Sequence, residues 1–210
     1  MENPVIIFGA SGIGRVALDI FQSNDIIVYC LLDDDTKLHG QEINAVSVAG
    51  ATDNEEYIRM IGDKCEAFIA TDDNRLRKSL VKTLVDKRKK MPVNAIHQQA
   101  FIETSATIGH GNLIAMRASV GSFVQIGSHC IINAGAVIDY QTTIGDFVQI
   151  GAGSIINGNV TIKDGAFIGS GVTIVSGVTI GKNARIGAGS VVIGNVADGE
   201  TVFGVPAQKV

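Results

Sequence analysis

The residues best placed to do chemistry early in the chain are Gly9-Ala10-Ser11-Gly12-Ile13-Gly14 and Asp33-Asp34-Asp35. Glycines let a chain turn sharply into a helix, and backbone N–H groups at the helix start can then face a phosphate. Acidic side chains ending a following strand stand where a ribose or a base could sit, although solvated carboxylates are common there. Two other uses of the glycines stay open. One is a full dinucleotide site, which needs about twice this much α/β structure; the other is a plain tight turn. Further reactive types form no constellation. Cys30, Cys65 and Cys130 are odd in number and lack a CxxC spacing, which argues against a disulfide framework or a metal site. His39, His97, His110 and His129 are scattered, and His110 and His129 read as solvated turn residues.

The elements that hold the glycine turn and the aspartates follow from the apolar pattern. Val5-Ile6-Ile7-Phe8 is a short apolar run ahead of the turn, and Ile13, Ala17, Ile20 and Phe21 then share one helical face. Ile26 to Leu32 is a second apolar run, ended by Asp33. Strand, glycine turn, helix and strand open a doubly wound α/β unit. Asp53 and Glu56 predict a capping box ahead of Tyr57, Met60 and Ile61. Phe68-Ile69-Ala70 predicts a third strand, and Thr71-Asp72-Asp73-Asn74 leads into a helix with Leu76, Leu80 and Leu84 on one stripe. The basic run Lys87-Arg88-Lys89-Lys90 reads as a solvated helix end, where cations suit the dipole.

From Ile102 onward a different rule takes over: every sixth residue is Ile or Val for sixteen positions, ending at Val192. An α-helix cannot keep one face on that period, because its stripe drifts. A chain that turns a corner every six residues can. Four residues past each aliphatic the side chain is small or β-branched, except at Asn112. Three residues past it, ten of the sixteen repeats carry Gly or Asn, which tolerate the positive φ of a sharp corner. Three such sides close a triangular coil of eighteen residues, and stacked coils make a parallel β-solenoid.

Composition marks the border. Residues 1–100 hold 27 charged side chains and six glycines, whereas residues 102–196 hold eight charged side chains. Domains of 1–95 and 96–210 are expected. A net charge of −4 argues against nucleic acid as a partner. Neither a signal peptide nor an apolar run long enough for a bilayer is apparent, so a cytoplasmic protein with no membrane partner is expected.

A small βαβ domain ahead of a β-helix resembles the sialic-acid and bacillosamine branch of sugar O- and N-acyltransferases. The marks are Phe8-Gly9-Ala10-Ser11-Gly12, Leu32-Asp33-Asp34-Asp35, Asp73-Asn74-Arg75-Leu76-Arg77, Ile132-Asn133-Ala134-Gly135-Ala136, Ile144-Gly145-Asp146-Phe147 and Gly204-Val205-Pro206-Ala207. The resemblance implies an α/β Rossmann-like domain followed by a left-handed parallel β-helix. It implies a nucleotide-linked sugar as substrate for bacterial surface glycans such as lipopolysaccharide, with Ser11 and Gly12 near its phosphates and Asp33, Asp34 and Asn74 near the nucleoside. It also implies a homotrimer with sites between subunits and acetyl-CoA as acyl donor, with no metal. Gly158, one coil beyond Tyr140, matches the family glycine whose N–H faces the thioester carbonyl. Asn133 matches a family asparagine of the active site, and Lys182 and Ala188 are placed beside the CoA tail.

The chain departs from that pattern where a base is expected. The family's His, followed by an acidic residue, is here Tyr140-Gln141, and a second family His gives way to Gln149. Ile13 stands where the first loop often carries His. Asp139 is the nearest carboxylate, with a structural turn role as its plain alternative. A general base contributes roughly 10²–10⁴-fold in rate, and a phenol with a reference pKa near 10 is a poor one. A hydroxyl acceptor suffers most from that loss, whereas an amine is already partly neutral near neutral pH. Three readings follow. The first is a nucleotide-sugar N-acyltransferase working without the usual base. The second is a trimeric binding or assembly protein that has lost the chemistry, and the third is an acyltransferase with a different acceptor or acyl donor, its pocket reshaped by Tyr140.

Overall fold

Four consecutive apolar residues form strand β1, Val5–Phe8, which is buried throughout. The glycine turn delivers the chain into helix α1, Ile13–Ser23, whose buried face is Gly14, Ala17, Leu18, Ile20 and Phe21. A Cβ at Gly14 would run into the Gly9 carbonyl, so glycine is what lets the helix start this close to the strand end. Strand β2, Val28–Leu32, lies parallel to β1. The computed structural model describes residues 3–210.

After β2 comes a hairpin that the apolar pattern did not announce, β3 (Glu42–Ile43) and β4 (Val46–Gly50). Helix α2 (Glu55–Met60), strand β5 (Glu66–Ile69) and helix α3 (Asn74–Arg88) complete the unit. The sheet order is β3-β4-β2-β1-β5, parallel throughout except at the β3–β4 hairpin.

Two local expectations are corrected. The cap of α2 is Asn54, whose side chain accepts from the Glu56 N–H at 3.0 Å, in place of the Asp53–Glu56 box. The helix begins at Glu55, so Asp53 lies one residue too early for capping geometry. On α3 the buried residues are Arg77, Val81 and Leu84, while Leu76 is 42% exposed. Each i to i+4 step overshoots a full turn by about 40°, so the leucine stripe spirals from surface at Leu76 to core at Leu84.

The second unit runs Gln99–Val210. Its two-residue strands recur every six residues and stack into three parallel sheets, each strand pairing with the one eighteen residues on, as in Val120↔Ile138, Ile126↔Ile144 and Ile132↔Ile150. These sheets are the faces of a prism. The first face carries Phe101–Ile102 to Val191–Val192, the second Thr107–Ile108 to Thr179–Ile180, and the third Leu113–Ile114 to Arg185–Ile186. The repeating Ile and Val side chains are buried from Ile114 to Val192 and fill the interior. Every sixth residue from Gly111 to Gly189 has positive φ, including Arg117, Phe123, His129, Gln141 and Phe147. The stacking therefore imposes the corner even where no glycine eases it. Asn112, the exception among the small inward residues, is satisfied: it donates to the Gly127 carbonyl at 2.9 Å and accepts from the Cys130 N–H at 2.7 Å. Strand Thr201–Gly204 continues the third face before the chain turns back antiparallel in Ala207–Lys209.

Candidate functional site

A cleft of about 270 Å³ opens beside the glycine turn, its walls including Ser11, Gly12, Asp33, Asp34, Thr52 and Asp72. The structure thus brings together four of the residues expected to hold the nucleotide sugar. Helix α1 enters at Gly12 with no side-chain cap and no acidic residue in its first turn. The two aspartates serve first as braces. Asp33 accepts from the Ala10 N–H at 2.7 Å and the Asp35 N–H at 2.9 Å, tying the glycine turn to the end of β2. Asp34 accepts from the N–H and the hydroxyl of Thr52, both at 2.9 Å.

Asn74 does not line the cleft. Its Oδ1 accepts from Arg77 Nη2 at 2.8 Å. Arg77 is 1% exposed, and its Nη1 donates to the Thr71 carbonyl at 2.6 Å, so a buried guanidinium holds the Thr71–Asn74 loop from behind. Asp73 caps α3 by accepting from the Leu76 and Arg75 N–H groups, which hold its carboxyl below the usual carboxylate range. Thr52, Asp72 and Arg77 escaped the sequence reading. Thr52 depends on the unforeseen β3–β4 hairpin, and Arg77 had been visible as part of Asp73-Asn74-Arg75-Leu76-Arg77.

In the β-helix, Tyr140 and Asp139 stand at the corner that follows the first face, with Gly158 one coil on. The Tyr140 ring lies over Gly158: a Cβ built there would be 2.5 Å from Cζ, 2.6 Å from Cε1 and 2.8 Å from Cε2. Gly158 is buried, and its φ lies outside the left-handed region. Its N–H donates to no acceptor among the described residues. Asp139 accepts from the Tyr140 N–H at 2.8 Å, which is a turn brace.

The other expected residues lie elsewhere on the prism. Asn133 and Ala188 share the corner that precedes the first face, and Asn133 donates to the Ile150 carbonyl at 2.9 Å. Gln149 begins a strand of the third face. Lys182 is at the corner between the second and third faces, where its N–H donates to Asp198 at 2.8 Å. Within one chain, Tyr140, Asp139 and Gly158 meet; Asn133, Gln149, Lys182 and Ala188 do not join them. His110 is exposed as expected, but His129 is only 5% exposed and packs on Phe147 with centroids 4.8 Å apart, which corrects its reading as a solvated residue. Cys130 is fully buried, and burial pushes the Cys30 thiol up to about 12, so neither is a nucleophile. Among the described residues, no group of His, Cys, Asp and Glu could hold a metal ion. No helix there is long and apolar enough to cross a membrane.

An open α/β cleft joined in sequence to hexapeptide coils defines a two-part transferase scaffold. The PglD N-terminal domain model matches residues 4–84, and the bacterial transferase hexapeptide model matches residues 105–139, 141–176 and 162–194. The chain thus carries a PglD N-terminal domain followed by bacterial-transferase hexapeptide repeats, and its fold is the one shared by left-handed β-helix acetyltransferases. PerB from Caulobacter crescentus, solved with CoA and GDP-perosamine, is 29% identical, with 99% of this chain and 97% of that one covered at a TM-score of 0.90. The acetyltransferase domain of PglB from Neisseria gonorrhoeae, solved with acetyl coenzyme A, is 27% identical over 100% of both chains, with a TM-score of 0.91. WeeI from Acinetobacter baumannii is 28% identical over 99% of both, with a TM-score of 0.88. Comparison with curated proteins gives no match.

Proposed function

We propose that the protein transfers an acetyl group from acetyl-CoA to the amino group of a nucleotide-linked amino-deoxy sugar, without a side-chain base. The observation that carries this reading is the Gly158 N–H, which has no acceptor among the described residues and sits at the corner to which the resemblance assigns the reaction. When bound, acetyl-CoA supplies the thioester carbonyl. The Gly158 N–H would donate to the oxygen that gains negative charge as the amine adds, and one such donor is worth about 10²–10³-fold in rate. Asp139 Oδ1 is engaged by the Tyr140 N–H as a turn brace, and this reading gives it no part in proton transfer. An amine with pKa about 8 is partly neutral near neutral pH and needs none. The cleft of domain 1–95 would hold the nucleotide, with Ser11 and Gly12 toward its phosphates and Asp34 toward the nucleoside; domain 96–210 would hold acetyl-CoA.

Three copies would assemble about the first face. Its outward residues include Phe101 at 60%, Val137 at 40% and Ile155 at 45% exposure, whereas the second face presents Thr107, Gln125, Thr143, Thr161 and Thr179. Exposed apolar patches of this kind mark interaction surfaces. Around a threefold axis facing that surface, the Tyr140–Gly158 corner of one copy meets the Asn133–Ala188 corner of the next. Residues on two corners of one prism would then share a groove, and the small Ala134, Ala152, Ser170 and Ala188 leave room there for an extended pantetheine arm. Lys182 and Gln149 stand outside that arrangement. The family resemblance supports a role in bacterial surface glycans such as lipopolysaccharide. Three free cysteines suit a cytoplasmic location.

The test is thiol release from acetyl-CoA with UDP-, dTDP- and GDP-linked 4-amino sugars. Release with at least one acceptor is expected. Silence with all three, together with no acetyl-CoA-dependent thermal shift, would instead leave a binding or assembly protein.

A further inference from the structure

We propose that Tyr140 sets the size of the acyl group this protein accepts, admitting acetyl and rejecting longer chains. The inference rests on Gly158 as the acyl-donor site. A carbonyl oxygen bonded to the Gly158 N–H lies about 2.9 Å from the nitrogen, so the first alkyl carbon falls within about 5 Å of it. That space is bounded by the Tyr140 ring, which already lies against the Gly158 backbone, 2.5 Å from where a Cβ would stand. A methyl group fits flat against an aromatic face. Two further carbons need the volume the ring fills.

The corner itself singles this residue out. In the stack of equivalent positions, Ser122, Gly158, Ser176 and Gly194 are small, and Tyr140 alone carries a ring. Tyr140 is 46% exposed, so the ring is not a core residue that the fold requires. Gly158 supplies the complementary flat surface, and since its φ is one that any residue adopts, its missing side chain is explained by the ring and not by the turn.

The experiment measures acetyl-CoA and butyryl-CoA binding by calorimetry in the full-length wild type, Tyr140→Phe, Tyr140→Ala and Tyr140→Val. Wild type and Tyr140→Phe are expected to prefer acetyl-CoA at least about tenfold, within the usual discrimination of apolar pockets against added methylenes. In Tyr140→Ala and Tyr140→Val the gap is expected to shrink to about twofold or less. An undiminished gap in either small variant, with its thermal melt still cooperative, overturns the proposal, as does a wild type that binds both equally. A wild type that binds neither removes the acyl-donor site itself, and this inference with it.

Discussion

The Tyr140 ring rests face-on against Gly158, with three ring carbons within 2.8 Å of where a methyl group would be. Nothing in the backbone at 158 demands glycine, since its φ is not left-handed. The space does. Gly158→Ala is therefore expected to destabilise by about 1–3 kcal/mol through overpacking. The same substitution made in a Tyr140→Ala background should cost close to nothing, because the obstructing ring is gone. Urea unfolding of the four proteins measures this coupling. Equal costs in both backgrounds would mean that the ring turns aside freely and that the glycine has another reason.

Arg77 supports the cleft from inside the protein. Its guanidinium is 1% exposed and holds both Thr71 and Asn74. Arg77→Met should lower stability by about 2–4 kcal/mol, since hydrogen bonds from a buried charge are among the stronger ones. If the loop serves the nucleotide, KM for the sugar nucleotide should rise about tenfold in this variant, a 1.4 kcal/mol loss in binding. KM for acetyl-CoA should stay as it is, and Arg77→Lys should recover part of the difference. A rise in both KM values would mark Arg77 as a fold residue alone.

How much of this was legible in the sequence differs between the two units, and the reason is physical. A hexad repeat places each side chain by counting, because every coil repeats the pairing of the one before; Val120↔Ile138 and Ile138↔Ile156 are the same contact twice. Tyr140 and Gly158 could therefore be put at one corner without coordinates. What counting could not show is which way a corner side chain lies, so the ring over Gly158 and the burial of His129 emerged only from packing. In the α/β unit the strands and helices followed from apolar runs, yet β3 is only two residues long and β4 carries just the Val46–Val48 alternation, too short a signal to announce a strand. Thr52 was missed with them. Asp33, Asp34 and Asn74 stand out in the sequence as polar residues near strand ends and helix starts, but each is engaged in bracing the backbone around the cleft. Sequence pattern finds polar groups; it does not say whether a backbone N–H has already claimed them.

The cap of α3 gives a pH-dependent prediction. Asp73 accepts from the Arg75 and Leu76 N–H groups at 2.8 and 3.0 Å, and those bonds hold its carboxyl below its ordinary value. A carboxyl depressed in the folded state contributes stability that is present above its unfolded pKa and is lost as pH falls through the folded one. Asp73→Ala should therefore melt below wild type at pH 7, with the gap narrowing below about pH 4. Melting curves between those limits decide it. A gap that stays constant down to pH 2 would show that capping does not depend on the charge.

The first face of the prism offers the sharpest test of assembly. Val137 and Ile155 stack on adjacent coils with their side chains outward, and both are at least 40% exposed in the single chain. A pair of lysines there, Val137→Lys with Ile155→Lys, places like charges in the centre of the proposed threefold contact, where neither can be hydrated or paired. Light scattering is expected to show a trimeric mass for wild type and a monomeric mass for this variant. The matching change on the second face, Thr143→Lys with Thr161→Lys, should leave the mass unaltered. Activity should fall with the trimer, because Tyr140 and Gly158 would lose the Asn133 corner of the next copy. Mixing then separates assembly from folding: Gly158→Ala and Asn133→Ala proteins, each impaired alone, should regain turnover when dissociated and reassembled together. In such mixed trimers some grooves pair an intact Gly158 with an intact Asn133. If the mixture stays as slow as its parents, the two corners do not work together across copies, whatever the mass.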